Sequence, residues 1–320
     1  EHPLNLGMPG IHGTVAAVGA LQRADVVVCL GARFDDRVTG KPDTFATKAS
    51  VIHVDVDPAE ISKIRTADVP IVGDLADVVP ALSAEFRDHV AAEGRVDIAP
   101  WRQEIERIQA TYPTGWTDTD DGLLQPQEVI THLDRAASED TIWVTGVGQH
   151  QMWAAHYLTF RRPHTWLNSA GAGTMGYGLP AAIGAKVAHP GRQVILFTGD
   201  GSIMMNCQEF ATIADNDIDV KVVIVHNSIL GMVGQWQRLF YNHHYSASEL
   251  KGKTDFVKLA AAMGVAGCRI ETRAEFAEVL PRVLREKGAR LIDVIVPEEA
   301  DVVPMVPGGK RLDQMVLGGR

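Results

Sequence analysis

The strongest constraint on the fold of this chain is a pair of short apolar runs with a helix-patterned stretch between them. Val194-Ile195-Leu196-Phe197 leads into Gly199-Asp200-Gly201, and Val220-Lys221-Val222-Val223-Ile224-Val225 leads into His226-Asn227-Ser228. Residues 204–215 carry helical patterning, so the whole stretch reads as a βαβ unit. Strands that are apolar without alternation belong to parallel sheets covered by helices on both faces. In doubly wound sheets, ligands sit in the crevice outside the carboxyl ends of the strands. Asp200 and Asn227 are therefore expected to face one crevice.

An Asp and an Asn converging beside bare glycine backbone suit a hard divalent cation holding a diphosphate. Oxygen ligands select magnesium or calcium. Gly199 and Gly201 let the chain turn and a ligand come close. Backbone N–H groups at the start of the next helix attract phosphate oxygens. A lone Gly-Asp-Gly after a strand is usually only turn punctuation, so the argument rests on spacing: 25 residues lie between Gly201 and Asn227. That spacing, in this strand context, resembles the thiamine diphosphate motif, in which Gly-Asp-Gly is followed at a similar distance by Asn-Asn. His226 replaces the first Asn, and the position that matches the metal ligand keeps its amide as Asn227.

With 320 residues the chain has room for about two domains. Its 30 basic and 40 acidic residues, net charge −10, lack the basic stripe of a nucleic-acid binder and fit an acidic cytosolic enzyme. Cys29, Cys207 and Cys268 are scattered and odd in number, which fits reduced packing residues better than a disulfide framework or metal site. No apolar run approaches the ~18 residues that span a bilayer, and no signal peptide is visible. The sequence opens on Glu1-His2-Pro3-Leu4 rather than Met, and residues upstream of it are expected.

The expected domains are 1–95, a linker at 96–124, a second domain at 125–300 and a tail at 301–320. In the first, residues 13–24 read as a helix, 26–31 as a buried strand, 51–58 as the next strand, 58–65 as a helix opened by Pro58, and 69–74 as a strand before a helix that ends near Ala92. Asp55, at a strand end, sits where an acidic residue accepts ribose hydroxyl hydrogen bonds, and Arg33 and Arg37 suit a phosphate or carboxylate. Such residues are more often simply solvated, and no GxGxxG is present.

The linker holds one helix, 101–111, and the acidic cluster 118–121. Beyond it, helices at 126–137, 149–158 and 175–188 alternate with strands at 141–145, 165–168 and 193–198, and after Trp236 a helix from Asp255, a strand at 265–270, a helix at 273–287 and a strand at 291–296 follow. Such alternation implies a parallel sheet with helices on both faces. The fold class is α/β, two doubly wound parallel-sheet domains.

Three further stretches reach the ligand edge. Gly146-Val147-Gly148-Gln149-His150 follows a strand and opens a helix, suiting a phosphate with Gln149 and His150 as donors. Residues 168–178 are glycine-rich, permitting close approach to a flat ligand, with Met175 the bulky apolar residue among them. A Met there is ordinarily core packing, and a lone His at a helix start is ordinarily a cap.

The blocks Gly146–Ala155, Gly173–Ala182 and Gly231-Met232-Val233 with Gln235-Trp236-Gln237 together resemble the catalytic subunit of acetohydroxyacid synthase, also called acetolactate synthase. Leu6–Thr14 and Arg33-Phe34-Asp35-Asp36-Arg37-Val38-Thr39-Gly40 resemble the FAD-binding middle domain of the biosynthetic, FAD-containing type. The resemblance covers nearly the whole chain. It implies that Asp200 and Asn227 ligate magnesium with the Ile229 carbonyl, that Gln149 and His150 contact the diphosphate, and that Gly201 and Ser202 border the cofactor. Gly173 and Met232 meet the aminopyrimidine, and Met175 is the wedge that bends thiamine diphosphate. For FAD the matching positions are His12, Gly31, Arg33, Arg37, Val38, Asp55 and Asp74. Trp236 lines the pocket of the second 2-ketoacid, and Arg37 lies near the substrate channel.

The activity implied is carboligation. Pyruvate loses carbon dioxide and is joined to a second pyruvate, giving 2-acetolactate, or to 2-ketobutyrate, giving 2-aceto-2-hydroxybutyrate, in branched-chain amino acid biosynthesis. FAD has a structural part, since the net reaction moves no electrons. The resemblance also implies a homodimer or tetramer, a regulatory small subunit and, for a bacterial source, a cytoplasmic location. The glutamate that activates the cofactor in this family lies in an N-terminal domain, which no part of this sequence resembles. The alternatives are another thiamine diphosphate enzyme, of the glyoxylate carboligase or pyruvate oxidase type, and an inactive cofactor-binding module. Gly234 stands where the family often carries a larger residue, and the tail reads by composition as a mobile end.

Overall fold

The computed structural model describes residues 2–118, 122–250 and 253–318. Asp120 and Asp121 of the acidic cluster lie outside the described residues. The chain forms two compact units, Pro3–Thr114 with Val303–Gly319, and Gly115–Val302.

The larger unit is built on six parallel strands: β4 (Ile142–Thr145), β5 (Trp166–Leu167), β6 (Val194–Gly199), β7 (Lys221–His226), β8 (Gly267–Ile270) and β9 (Arg290–Ile295), in the order β5-β4-β6-β7-β9-β8. β6 and β7 are buried along their whole length, as their unbroken apolar runs require. Alternate side chains enter opposite layers. Ile195, Phe197, Val223 and Val225 pack with helices α5 (Pro126–Ala136) and α12 (Arg273–Arg285) through Val129, Ile130, Leu133, Phe276 and Leu280. Leu196, Val222 and Ile224 pack with α7 (Gly178–Ala188), α9 (Glu209–Asp215) and α11 (Phe256–Ala262) through Leu179, Phe210, Ile213 and Phe256. Each such side chain, fully buried, contributes about 1.5–3 kcal/mol of transfer free energy. The chain runs from β4 outward to β5, then returns past β4 to β6. The switch point of the doubly wound sheet therefore lies between β4 and β6, where a ligand crevice is expected.

The smaller unit has three parallel strands in sequential order: β1 (Val26–Leu30), β2 (Ser50–Asp55) and β3 (Val69–Val72). Pro70 is tolerated in β3 because that strand is an edge. One face packs Val27, Cys29 and Val51 against Ile11, Phe34 and Phe45. The other leaves Val26, Val28 and Leu30 exposed by 41–51%. α1 (Val15–Arg23), capped by Thr14, receives α4 (Ala99–Thr111) through Ala16, Ile105 and Ile108. The tail does not behave as the loose end its composition indicates. Val306 and Leu312 are fully buried in the same core as Ile11, and the Val306 N–H donates to the Ile11 carbonyl at 2.7 Å.

Other local expectations need correcting. Residues 58–65 form turns, not a helix. The Asp57 carboxylate accepts the Ala59 N–H at 2.9 Å and Ser62 takes a positive φ of 61°, so side-chain bonding and a left-handed residue displace the helix. Of the helix expected at 204–215 only α9 forms; residues 204–208 are turns, with Asn206 Nδ2 donating to the Gly176 carbonyl at 3.0 Å, and a separate short helix, α8 (Asp200–Ile203), precedes them. α7 starts at Gly178 rather than Met175, since Gly176 has φ +89°.

Gly10 holds the smaller unit's first loop against α2 (Asp36–Thr39). Its φ is +91°, and a Cβ there would lie 2.2 Å from the Arg37 carbonyl oxygen, a backbone atom that cannot swing aside. Gly10→Ala is expected to cost about 3 kcal/mol, the sum of left-handed strain and overpacking. Urea unfolding checks this; a cost below ~1 kcal/mol would mean that residues 8–13 do not pack on α2.

Candidate cofactor-binding active site

β6 ends at Gly199 and hands Asp200 directly to α8, while β7 ends at His226 and hands over Asn227. The two adjacent strand ends are tied by Asp200 itself. One carboxylate oxygen accepts the Gly201 N–H and the other the Ser228 N–H, both at 2.7 Å. Asp200 is only 4% exposed, and burial pushes its carboxyl up to about 6 against the lowering influence of His226 and the two backbone donors. The His226 Nδ1–H donates to the fully buried Asp293 at 2.9 Å, and Arg269 holds the other Asp293 oxygen at 2.9–3.0 Å. His226 Nε2 comes within 3.9 Å of Asp200. A line of alternating charge-bearing groups, Arg269, Asp293, His226 and Asp200, thus runs from the edge of the sheet to the crevice.

Across the switch point, β4 leads through Gly146-Val147-Gly148 into α6 (Gln149–Tyr157). The Ser202 hydroxyl accepts N–H bonds from Val147 at 3.3 Å and Gly176 at 3.1 Å, so it binds together the two glycine loops that border the crevice. Gln149 and His150 are buried. Burial drives the His150 imidazole down to about 3, so it is neutral at physiological pH. Its Nε2 faces the Gly146 backbone without a well-formed hydrogen bond.

Between these elements lies a cavity of about 240 Å³, lined among others by Gly148, Gln149, His150, Gly173, Met175, Asp200, Gly201, Ser202, Asn227, Ile229 and Met232. The remaining lining is largely apolar, including Val147, Met152, Trp153, Leu230 and Val233. Every residue expected around the cation and diphosphate therefore borders one cavity. Trp236 does not line it. Trp236 lies on α10 (Gly231–Phe240) with its ring edge-on to Phe240 at 6.2 Å. Arg37, expected near the substrate, belongs to the other unit, where it is exposed and pairs with Asp36 at 2.9 Å.

Three features fit the cavity to thiamine diphosphate with a cation. The cavity wall carries the buried polar side chains of Gln149 and His150. The walls are glycine where a side chain would intrude: a Cβ on Gly231 would lie 1.8 Å from Gln149 Oε1, and one on Gly201 would lie 2.5 Å from Leu230. The donor set is oxygen-rich, one carboxylate and one amide, which suits a hard cation that keeps phosphate and water as other ligands. No cluster of three His, Cys, Asp or Glu able to hold a metal occurs among the described residues, and a site of this type does not need one.

In the smaller unit the residues expected to meet FAD gather at the carboxyl ends of its strands. Gly31 follows β1 with φ +62°, Asp55 ends β2, and Asp74 follows β3 as the cap of α3 (Leu75–Glu93). Asp55 accepts the Asp57 N–H at 2.9 Å and keeps further acceptor positions. The buried His12 and the half-buried Val38 are brought close by the Ile11 N–H, which donates to the Arg37 carbonyl at 2.7 Å. Arg33 is exposed and pairs with Asp35 at 3.2 Å.

Residues 1–82 match the central domain of the thiamine pyrophosphate enzymes, and residues 146–294 match their C-terminal TPP-binding domain. The chain belongs to the thiamine pyrophosphate enzyme family. Within that family it is similar to the acetolactate synthase of Mycobacterium bovis, 48% identical over 320 residues that cover 98% of this chain and 52% of the relative. The acetolactate synthase large subunit of Corynebacterium glutamicum is 47% identical over 317 residues, covering 97% and 50%. The probable chloroplastic acetolactate synthase 2 of Oryza sativa is 40% identical over 330 residues, covering 100% and 50%. The chain thus spans about half the length of the curated relatives it matches.

Around the cavity the structure also brings in residues to which the sequence analysis gave no role of their own. Helix α10 and its buried Gln235 are the main ones, together with Asp293 and Arg269 behind His226. Spaced apolar residues at Met232, Val233, Trp236, Leu239 and Phe240 carry the helix signal, weakened by two glycines in ten residues. Among the described residues no helix is long and apolar enough to cross a membrane.

Proposed function

We propose that this chain is the cofactor-binding half of an acetolactate synthase large subunit, joining pyruvate to pyruvate or 2-ketobutyrate with loss of carbon dioxide. The observation that carries this reading is the meeting of Asp200 and Asn227 at the ends of adjacent strands, above a glycine-walled cavity. Asp200, Asn227 and the Ile229 carbonyl hold magnesium, with Asp200 supplying the charge. Gln149 and neutral His150 hold the diphosphate, while Gly173, Met175 and Met232 shape the pocket of the aromatic part. The apolar lining keeps water from the reacting carbon. When bound, thiamine diphosphate supplies the electron sink for decarboxylating a 2-ketoacid.

FAD is assigned to the strand ends of the smaller unit, with His12, Gly31, Arg33, Arg37, Val38, Asp55 and Asp74 around it and a structural part to play. Trp236 and Arg37 are assigned to the second 2-ketoacid on the family resemblance alone. The family resemblance adds a homodimer or tetramer, with the activating glutamate contributed by an N-terminal domain across the dimer interface, and the large-subunit naming of relatives supports a regulatory small subunit as partner.

The test is acetolactate formation from pyruvate with thiamine diphosphate, magnesium and FAD, using the chain alone and joined to the N-terminal domain of a relative. The joined protein is expected to form acetolactate and the isolated chain little or none. Cofactor binding without acetolactate from the joined protein would overturn the carboligase reading in favour of a cofactor-binding module.

A further inference from the structure

Gln235 is 1% exposed on α10, and both ends of its amide are engaged. Its Nε2 donates to the Val302 carbonyl at 3.0 Å, and its Oε1 accepts the Val302 N–H at 3.0 Å. The same oxygen accepts from Gln149 Nε2 at 2.9 Å. Gln149 Nε2 also donates to the Ala300 carbonyl at 2.8 Å, and Gln149 Oε1 accepts from Asn227 Nδ2 at 3.3 Å.

The direction of this chain is held by backbone groups at each link: Val302 at Gln235, the Ala300 carbonyl at Gln149, and at Asn227 the Ile229 N–H, which donates to Asn227 Oδ1 at 3.4 Å. A side-chain amide can be turned either way by its surroundings, but a backbone N–H and carbonyl cannot exchange roles. Val302 therefore dictates how Gln235 lies. Gln235 then presents only an acceptor to Gln149, so Gln149 must turn its N–H groups that way and its oxygen toward Asn227. That oxygen receives the Asn227 NH2 group, and the Asn227 carbonyl oxygen, which accepts the Ile229 N–H at 3.4 Å, keeps a further acceptor position at the cavity. A reversed Gln149 would set oxygen against oxygen at Gln235 and donor against donor at Asn227, each burying an unmet polar group at about 1–3 kcal/mol.

We propose that Gln235 is a positioning residue of the cofactor site, which through Gln149, and together with the Ala300 and Ile229 backbone groups, holds the Asn227 amide with its oxygen rather than its nitrogen as the face offered to the cation. The proposal rests on the reading of Asp200 and Asn227 as cation ligands. Gln235 touches neither cation nor cofactor; it acts at two removes, and its loss raises the magnesium requirement.

The experiment is calorimetric titration of thiamine diphosphate into the 320-residue chain over a series of magnesium concentrations. It compares the wild type, Gln235→Met, Gln149→Ala and the double variant. Gln235→Met keeps the length of the side chain and removes its hydrogen bonds. It is expected to raise the magnesium concentration for half-saturation about tenfold, as loss of an outer-shell partner does. The double variant is expected to be no worse than Gln149→Ala, because Gln235 is proposed to act on the cation site through Gln149. Additive losses in the double variant, or Gln235→Met titrating like the wild type, would overturn the proposal. A wild-type chain that takes up no thiamine diphosphate at saturating magnesium would overturn the cation-site reading itself, and the proposal with it. Should Gln235→Met fail to fold, Gly231→Ala disturbs the same relay with Gln235 intact, since its Cβ would meet Gln149 Oε1. It is expected to show the same raised magnesium requirement, and an unchanged one would overturn the proposal.

Discussion

Asp200→Asn is expected to weaken magnesium-dependent binding of thiamine diphosphate about a thousandfold and, in the metal-free protein, to increase stability. The first effect follows from charge. A carboxylate near a cation in a partly buried site is worth about 4 kcal/mol or more per unit charge, and 4 kcal/mol is about a thousandfold in affinity. The second follows from burial, which lifts the Asp200 carboxyl from its ordinary 3.8 to about 6. For an acid whose folded value is raised, the folded state binds the extra proton between those two values, so stability falls as pH rises through that window and stays low above it. The penalty at about pH 7 is roughly 3 kcal/mol. Asparagine removes the charge but can accept only one of the two backbone N–H bonds, a loss of about 1 kcal/mol. Relief exceeds loss, and the metal-free variant should gain about 2 kcal/mol. Urea unfolding in EDTA at about pH 4 and pH 7 measures it: the wild type should weaken toward pH 7 relative to the variant. A variant less stable than the wild type at the higher pH would show that the Asp200 carboxylate is not desolvated.

That the expected residues line one cavity was legible in the sequence for a physical reason. A buried aspartate at a strand end is costly without a cation, so the local sequence must be built to tolerate it. The tolerance is visible as glycine on both sides of Asp200 and as a fully apolar strand before it. Asn227, Gln149 and His150 are likewise announced by the end of a strand. Strand ends are set by unbroken apolar runs, which read directly along the chain, and the strands of both sheets fall within a residue or two of the expected positions, except β2, which was expected to run to 58 and ends at Asp55. What failed was decided elsewhere in the molecule. The helix expected at 204–215 forms only as α9, with Asn206 bonding to Gly176 ahead of it, and Gln235 owes its importance to Val302, 67 residues away. The burial of Val306 and Leu312 depends in the same way on Ile11 at the other end of the chain. No local pattern encodes these pairings. The turn at 58–65 is a different kind of miss, since Asp57 and Ser62 are residues whose side chains compete for backbone groups, and that signal was present.

Asp293→Ala should produce the largest loss of stability, about 4 kcal/mol. Asp293 is fully buried in β9, between β7 and β8, and both its oxygens are occupied: Oδ1 by His226 and Oδ2 by Arg269. Truncation leaves a buried imidazole and a guanidinium facing a void, and the cost of breaking a buried pair from one side is about 3–5 kcal/mol. Arg269→Ala should cost far less, about 1 kcal/mol, because its side chain is 35% exposed and water replaces part of what is lost. His226→Asn should fall between them, since the shorter amide restores the family's residue but does not reach as far toward Asp293. The predicted order, Asp293 above His226 above Arg269, can be read from urea unfolding of the three variants in EDTA. An Asp293→Ala cost below that of Arg269→Ala would mean that the buried carboxylate is a burden the fold merely tolerates. The expected order has a functional consequence. His226 Nε2 stands 3.9 Å from Asp200, so an imidazole released from Asp293 is free to turn toward Asp200, the proposed cation ligand. Asp293→Ala should then lower magnesium affinity about tenfold, as loss of an outer-shell carboxylate does, whereas Arg269→Ala, which leaves His226 held, should not.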